Sequence, residues 1–172
     1  TNCGLRTMGG LAIVLTVFIG SISFSPINAE LLLMLSAFLL FASIGFIDDL
    51  FKVVYKQNLG LTAKQKLFLQ IIIAIALTFF QSRLAGSDTS LYVPIVKLYV
   101  NIGIFYIPFV SFVVVAMVNA VNLTDGLDGL AAGVTAIVAA CLAIIGYRFG
   151  FSSATAFSAS ISGACIGFLI YN

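Results

Sequence analysis

The stretch Asn119-Ala120-Val121-Asn122-Leu123-Thr124-Asp125-Gly126-Leu127-Asp128-Gly129-Leu130 lies between two apolar runs, each long enough to cross a bilayer. Its polar residues recur every third position, at Asn119, Asn122, Asp125 and Asp128. A stride of three keeps successive side chains near one helical face, drifting slowly around it. Ionisable groups at membrane depth cost free energy and mark function by default. Gly126 and Gly129 leave room for the backbone to turn and for a ligand to approach. A polar loop built on two Asp-Gly turns accounts for the same residues equally well.

The whole chain has the composition of a membrane protein. Of its 172 residues 62% are hydrophobic and only 8% charged, and the mean hydropathy is +1.20, far above soluble domains, which are roughly half apolar. Apolar runs are continuous rather than alternating, so helices are predicted and a barrel is not. A net charge of +2 with no basic stripe gives no reason to expect a nucleic-acid partner. Cys3, Cys141 and Cys165 have no CxxC spacing, so no disulfide framework is expected, and the lack of histidine removes a His base or zinc site within these residues.

The chain opens at Thr1 with neither an initiator methionine nor a signal-peptide pattern, which reads as an internal start. Apolar runs at about 8–24, 31–47, 67–80, 107–121, 130–147 and 153–171 predict six spans. The expected fold is an all-α polytopic transmembrane bundle forming a single membrane domain. Leu50 to Gln65, carrying Lys52, Lys56 and Lys64, is too polar to span and is expected to lie along the membrane surface. Leu91 to Phe105 is rich in β-branched and aromatic residues and predicts a short extracytoplasmic hairpin turning near Asn101-Ile102-Gly103. Frequent Gly, Ala and Ser in the last two runs favour close helix contacts in lipid.

With six alternating spans, Arg6, Lys52, Lys56, Lys64 and Lys66 share one side, and only Arg83, Lys97 and Arg148 occupy the other. The positive-inside rule places the first set in the cytoplasm. Asp48, Asp49, Asp125 and Asp128 go with it, leaving Glu30 and Asp88 outside. Paired carboxylates beside lysines at a membrane face suit Mg²⁺ and phosphate oxygens. Asp48 and Asp49 precede Lys52 by four and three residues, within reach of its ammonium on a helix. An ordinary charged helix end also explains this pair, although acids near a helix C-terminus oppose the dipole. For Lys56 and Lys66, membrane anchoring is the preferred reading. Thr7-Met8-Gly9-Gly10 alone is consistent with simple helix packing.

Four stretches together carry a resemblance. NAVNLTDGLDGLAAG at 119–133, GFIDDLFK at 45–52, NLGLTAKQK at 58–66 and TMGG at 7–10 occur in the order found in the polyprenyl-phosphate N-acetylhexosamine-1-phosphate transferase superfamily. They resemble its phospho-N-acetylmuramoyl-pentapeptide-transferase branch more than its GlcNAc-1-phosphate branch. The resemblance implies Mg²⁺-dependent transfer of phospho-MurNAc-pentapeptide from UDP-MurNAc-pentapeptide to undecaprenyl phosphate, giving lipid I and UMP in peptidoglycan synthesis. It implies a multi-pass protein of the bacterial cytoplasmic membrane, with its active site facing the cytoplasm and a homodimeric assembly.

Carried over by residue, the resemblance makes Asp48 the group that engages the lipid phosphate, with Asp49 beside it near metal and phosphate. Lys52 and Lys64 would hold phosphate charge. Asn122, Asp125 and Asp128 would line the nucleotide-sugar pocket, with Thr7 and Asn119 at its edge. The main metal ligand of the family corresponds to a position beyond Asn172. The family's Gly-Thr-Pro-Thr-Met-Gly-Gly is altered here by Leu5 and Arg6, and Asn2 stands at a usual lysine. Against a ten-helix family, the chain corresponds to an internal piece and is expected to be inactive alone. A cation or proton transporter segment is the alternative from a different class, since intramembrane acids also serve ion paths. Against it, the acids lie at the predicted ends of spans.

Overall fold

A computed structural model describes residues 3–55, 60–84, 89–93, 97–124 and 129–171, without the side chains of 3–8, 52–55, 84, 92 and 171. Six α-helices are present among them: α1 (Cys3–Phe24), α2 (Ala29–Tyr55), α3 (Ala63–Leu84), α4 (Tyr106–Thr124), α5 (Leu130–Phe149) and α6 (Ser152–Tyr171). A two-stranded sheet of β1 (Ser90–Val93) and β2 (Leu98–Asn101) separates α3 from α4. The fold is therefore the expected all-α polytopic membrane type. Among the described residues α2 to α6 each contain a segment long and apolar enough to cross a bilayer, while α1 contributes a shorter apolar run, Gly9–Phe24. Helices are the form such segments must take, because lipid offers no partner to backbone N–H and C=O groups.

Two compact units can be distinguished. The first comprises Thr1–Ala42 and Ala120–Asn172. Here α6 packs against both α5 and α1. Small residues carry these contacts, as expected from the sequence: Ala136, Ala139, Ala156, Ala164, Ser21 and Ser162 are buried. Ser162 Oγ donates to the Ala136 carbonyl at 3.0 Å, joining α6 to α5. The turn between those helices is closed by Gly150 at φ +78°, a left-handed conformation that glycine adopts without a Cβ clash. The N–H of Phe151 then reaches the Gly146 carbonyl at 2.9 Å.

Entry into α2 is fixed within the same unit. Pro26 ends the preceding run, and Asn28 caps the new helix by accepting the Leu31 N–H on Oδ1 at 2.8 Å. The same amide exchanges hydrogen bonds with Ser153 Oγ, at 2.8 and 3.0 Å, near the start of α6. Ser153 is fully buried, so the cap also joins α2 to α6.

The second unit, Ser43–Asn119, contains the rest of α2, with α3, the hairpin and most of α4. Two expectations are corrected here. First, Leu50 to Gln65 is not one separate surface segment: α2 continues without interruption to Tyr55. No helix breaker occurs between Ile47 and Tyr55, so nothing stops the helix at the acids. At 1.5 Å per residue its 27 residues extend about 40 Å, beyond the ~30 Å hydrocarbon core. The first ~20 residues already suffice to span, and they end at Asp48.

Second, the hairpin exists but turns elsewhere. Ser90 pairs with Asn101 and Val93 with Leu98, so the reversal lies between Val93 and Leu98. Asn101-Ile102-Gly103 instead forms the exit from β2, where Asn101 Oδ1 accepts from Thr89 Oγ1 and from the Gly103 N–H at 2.8 and 2.9 Å. An Asn that bonds backbone two residues ahead gives a turn signal whether it opens or closes a hairpin.

Candidate functional site

Asp48 and Asp49 are neighbours on α2 with opposite environments. Asp48 is only 4% exposed, whereas Asp49 faces outward. Neither lies in the last turn of the helix, so the expected opposition to the helix dipole, which acts within that turn, is small. What Asp48 requires instead is compensation for its burial, because an unpaired buried carboxylate is strongly disfavoured.

Compensation comes from the start of α3. Leu61 donates its backbone N–H to Asp48 Oδ1 at 2.8 Å, and Lys66 Nζ lies 2.6 Å from Oδ2. Each carboxylate oxygen therefore accepts a bond from the same short stretch of chain. Gly60 makes that approach possible, since a Cβ there would overlap the Asp48 carboxylate and meet its backbone carbonyl oxygen at 2.9 Å. Charge-assisted bonds of this kind are among the stronger ones in proteins.

The first turn of α3 is held by a reciprocal cap. Gln65 Oε1 accepts the Thr62 N–H at 3.0 Å, and Thr62 Oγ1 accepts the Gln65 N–H at 3.4 Å. Thr62-Ala63-Lys64-Gln65 is thus a capping box, which defines where the helix begins and so where Lys66 stands. Lysines are disfavoured at a helix N-terminus by the dipole. For Lys66 that cost is offset by Asp48, while Lys64 remains exposed to solvent. An exposed cation beside N-terminal amides attracts anions.

One turn beyond Lys66, Gln70 is 6% exposed and its Oε1 accepts from Asn119 Nδ2 at 2.7 Å. Asn119 Nδ2 also donates to the Val115 carbonyl at 2.8 Å. Further along the same contact Ser111 Oγ donates to Thr78 Oγ1 at 3.4 Å. These bonds join α3 to α4.

Four of the sequence-predicted site residues with described side chains, Asp48, Asp49, Lys64 and Asn119, therefore fall in one unit. Asn122 is exposed near the end of α4, in the other unit. Asp125 and Asp128 lie outside the described residues. Thr7 and Lys52 fall on α1 and α2 respectively, with their side chains outside the description. Sequence reasoning missed Lys66 and Gln70. The capping box would have pointed to Lys66, by setting the helix start that aims it toward Asp48. No group of three His, Cys, Asp or Glu gathers among the described residues. Mg²⁺ commonly takes one or two protein carboxylates and completes its shell with water and phosphate, and of this pair Asp49 is the one exposed to a ligand of that kind.

Residues 31–172 match the sequence profile of glycosyl transferase family 4. The phospho-N-acetylmuramoyl-pentapeptide-transferase of Alkaliphilus oremlandii is 47% identical over 98% of this chain and 54% of its own length. Those named alike from Alkaliphilus metalliredigens and Caldanaerobacter subterraneus are 48% and 46% identical, covering 98% of this chain and 54% and 53% of their own lengths. The chain spans about half the length of the curated relatives it matches. With the profile covering most of its length, this chain belongs to glycosyl transferase family 4.

Proposed function

We propose that the protein transfers phospho-N-acetylmuramoyl-pentapeptide from UDP-MurNAc-pentapeptide to undecaprenyl phosphate. An oxygen of the lipid phosphate attacks the sugar-bearing phosphorus, the bond to UMP breaks, and lipid I and UMP are released. The observation that carries this reading is the Asp48 carboxylate, buried and fixed on both oxygens beside exposed Asp49, in a chain 47% identical to a transferase of that name. Phosphoryl transfer depends mainly on positioning and charge neutralisation, and a carboxylate held on both oxygens serves the first.

In this reading Asp48 orients the attacking lipid phosphate and Asp49 supplies an oxygen to Mg²⁺. The ion's chemistry, when bound, is neutralisation of pyrophosphate charge. Lys64 and Lys52 draw phosphate oxygens to the same face. Asn119, Asn122, Asp125 and Asp128 contact the nucleotide-sugar, with Thr7 at the pocket edge. The lysine distribution supports a cytoplasmic face of the bacterial inner membrane, and a homodimer accompanies the reading by family resemblance.

The test is exchange of labelled UMP into UDP-MurNAc-pentapeptide, in undecaprenyl-phosphate micelles with Mg²⁺. The complete reading frame containing this chain is compared with its Asp48→Asn variant, with UDP-GlcNAc in parallel. Exchange with the muramoyl substrate alone, lost in the variant, is the expected result. Exchange with UDP-GlcNAc alone overturns the substrate assignment, and exchange with neither overturns the reaction.

A further inference from the structure

Lys66 and Gln70 stand one turn apart on α3 and hold residues of two different helices. Lys66 takes Asp48 of α2, and Gln70 takes Asn119 of α4. Residues four apart lie on one face of a helix, so the two contacts form a polar ladder along a single side of α3. Both contacts lie inward: Asp48 and Gln70 are buried, and Asn119 is half-buried. Neither contact resembles a surface anchor for a lipid headgroup, the role that charge distribution alone assigns to Lys66.

We propose that Lys66 and Gln70 are positioning residues, Lys66 aiming the Asp48 carboxylate and Gln70 aiming the Asn119 amide. The inference rests on the transfer reaction proposed above and adds two residues that act through others. The geometry separates their effects. Lys66 engages Oδ2 while Leu61 engages Oδ1, so loss of Lys66 removes a charge-assisted bond that sets the direction of Oδ2 and loosens the carboxylate's orientation. Gln70 accepts one of the two hydrogen bonds made by Asn119 Nδ2, the second going to Val115 in the helix's own backbone. Without Gln70 the amide keeps only that local bond and loses its cross-helix reference. Asp48 is assigned to the attacking phosphate and Asn119 to the nucleotide-sugar, so the two losses fall on different kinetic parameters.

The experiment uses the complete reading frame containing this chain, purified in detergent, with Lys66→Met, Lys66→Arg, Gln70→Leu and Gln70→Glu variants. Rates are measured against both substrates and thermal midpoints are recorded on the same samples. Lys66→Met is expected to lower kcat by about 100-fold, the scale of a misplacement near 1 Å, with KM for UDP-MurNAc-pentapeptide nearly unchanged. Lys66→Arg retains a cation for Asp48 and is expected to recover about tenfold of that loss, short of full rescue because a guanidinium fork differs in shape from an ammonium. Gln70→Leu is expected to raise that KM about tenfold, one lost hydrogen bond of moderate strength, with kcat nearly unchanged. Gln70→Glu keeps an acceptor for Asn119 and is expected to restore KM. Activity of Lys66→Met and Gln70→Leu within twofold of wild type overturns the inference and leaves the reaction standing. Equal falls in both variants that track the thermal midpoints also overturn it, because they indicate packing alone. Absence of wild-type turnover overturns the reaction and the inference together.

Discussion

Lys66 places its ammonium 2.6 Å from Asp48 Oδ2 across 18 residues of sequence, joining the first turn of α3 to the body of α2. The pair is asymmetric in its surroundings. The Lys66 side chain is 29% exposed, while Asp48 is almost fully enclosed. Solvent therefore rescues the lysine when its partner is lost far better than it rescues the aspartate.

That asymmetry predicts unequal single mutants. Lys66→Met is expected to destabilise by about 1–3 kcal/mol, since it leaves a buried carboxylate with one fewer partner. Asp48→Asn keeps an acceptor for the Leu61 N–H and releases a lysine already near solvent, so its effect on stability is expected to be smaller. The double variant is expected to be less destabilised than the sum of the two. Thermal midpoints of all four proteins in the same detergent check the order, and strict additivity would show that the pair contributes no coupling.

Gly60→Ala tests the close approach behind that pair. Its Cβ would displace the Asp48 carboxylate or the 60–61 backbone, and an overpacking cost of about 1–3 kcal/mol is expected. Gly163→Ala on α6 provides the contrast, because nothing lies within 4 Å of the added atom. There the usual helix preference for alanine predicts a neutral to slightly stabilising change, up to ~1 kcal/mol. Opposite signs in thermal midpoint are expected, and a neutral Gly60→Ala would remove the steric argument.

The capping box predicts a local effect on α3. Thr62→Ala removes both the side-chain acceptor for Gln65 and the helix-start signal, at about 0.5–2 kcal/mol. Thr62→Ser keeps the hydroxyl and is expected to stay close to wild type. Hydrogen exchange at the amides of 63–66 should rise in the alanine variant and not in the serine variant.

Asn28 performs two tasks, capping α2 and binding buried Ser153. Asn28→Asp retains the cap but gives up the donor to Ser153, whereas Asn28→Ala loses both. The expected loss is about 1 kcal/mol for the cap, with a further ~0.6 kcal/mol for the interhelical bond. A thermal midpoint for Asn28→Asp between wild type and Asn28→Ala is the checking result.

Apolar runs and punctuation were enough to place the six α-helices found among the described residues. Pro26 and Asn28 mark the break before α2, and the observed α5 and α6 begin at or within one residue of their expected starts. These features are legible because lipid leaves the backbone few options: a continuous apolar run must satisfy its own hydrogen bonds as a helix. The end of α2 was less legible. Polarity at Asp48 and Asp49 looks like a boundary, but a helix ends only where backbone conformation or capping stops it, and nothing does so before Tyr55. The hairpin was foreseen from β-branched and aromatic residues, while its turn was misplaced because Asn101 and Gly103 carry turn chemistry at the exit of β2.

Chain order and residue type alone determined the helical membrane fold and singled out Asp48, Asp49 and Asn119 as candidates, each a polar group where polarity is costly, while Lys64 entered through the family resemblance. Only the tertiary structure decided which of two adjacent aspartates is enclosed, and that Lys66 rather than the exposed Lys64 reaches it. Lys64 and Lys66 stand two residues apart in one motif, and their charge is identical. Selection of Lys66 depends on where the Thr62–Gln65 cap starts α3 and on the space left by Gly60. Coulomb attraction and hydrogen bonding act over a few ångströms, a scale set by the packing of α3 on α2 rather than by composition.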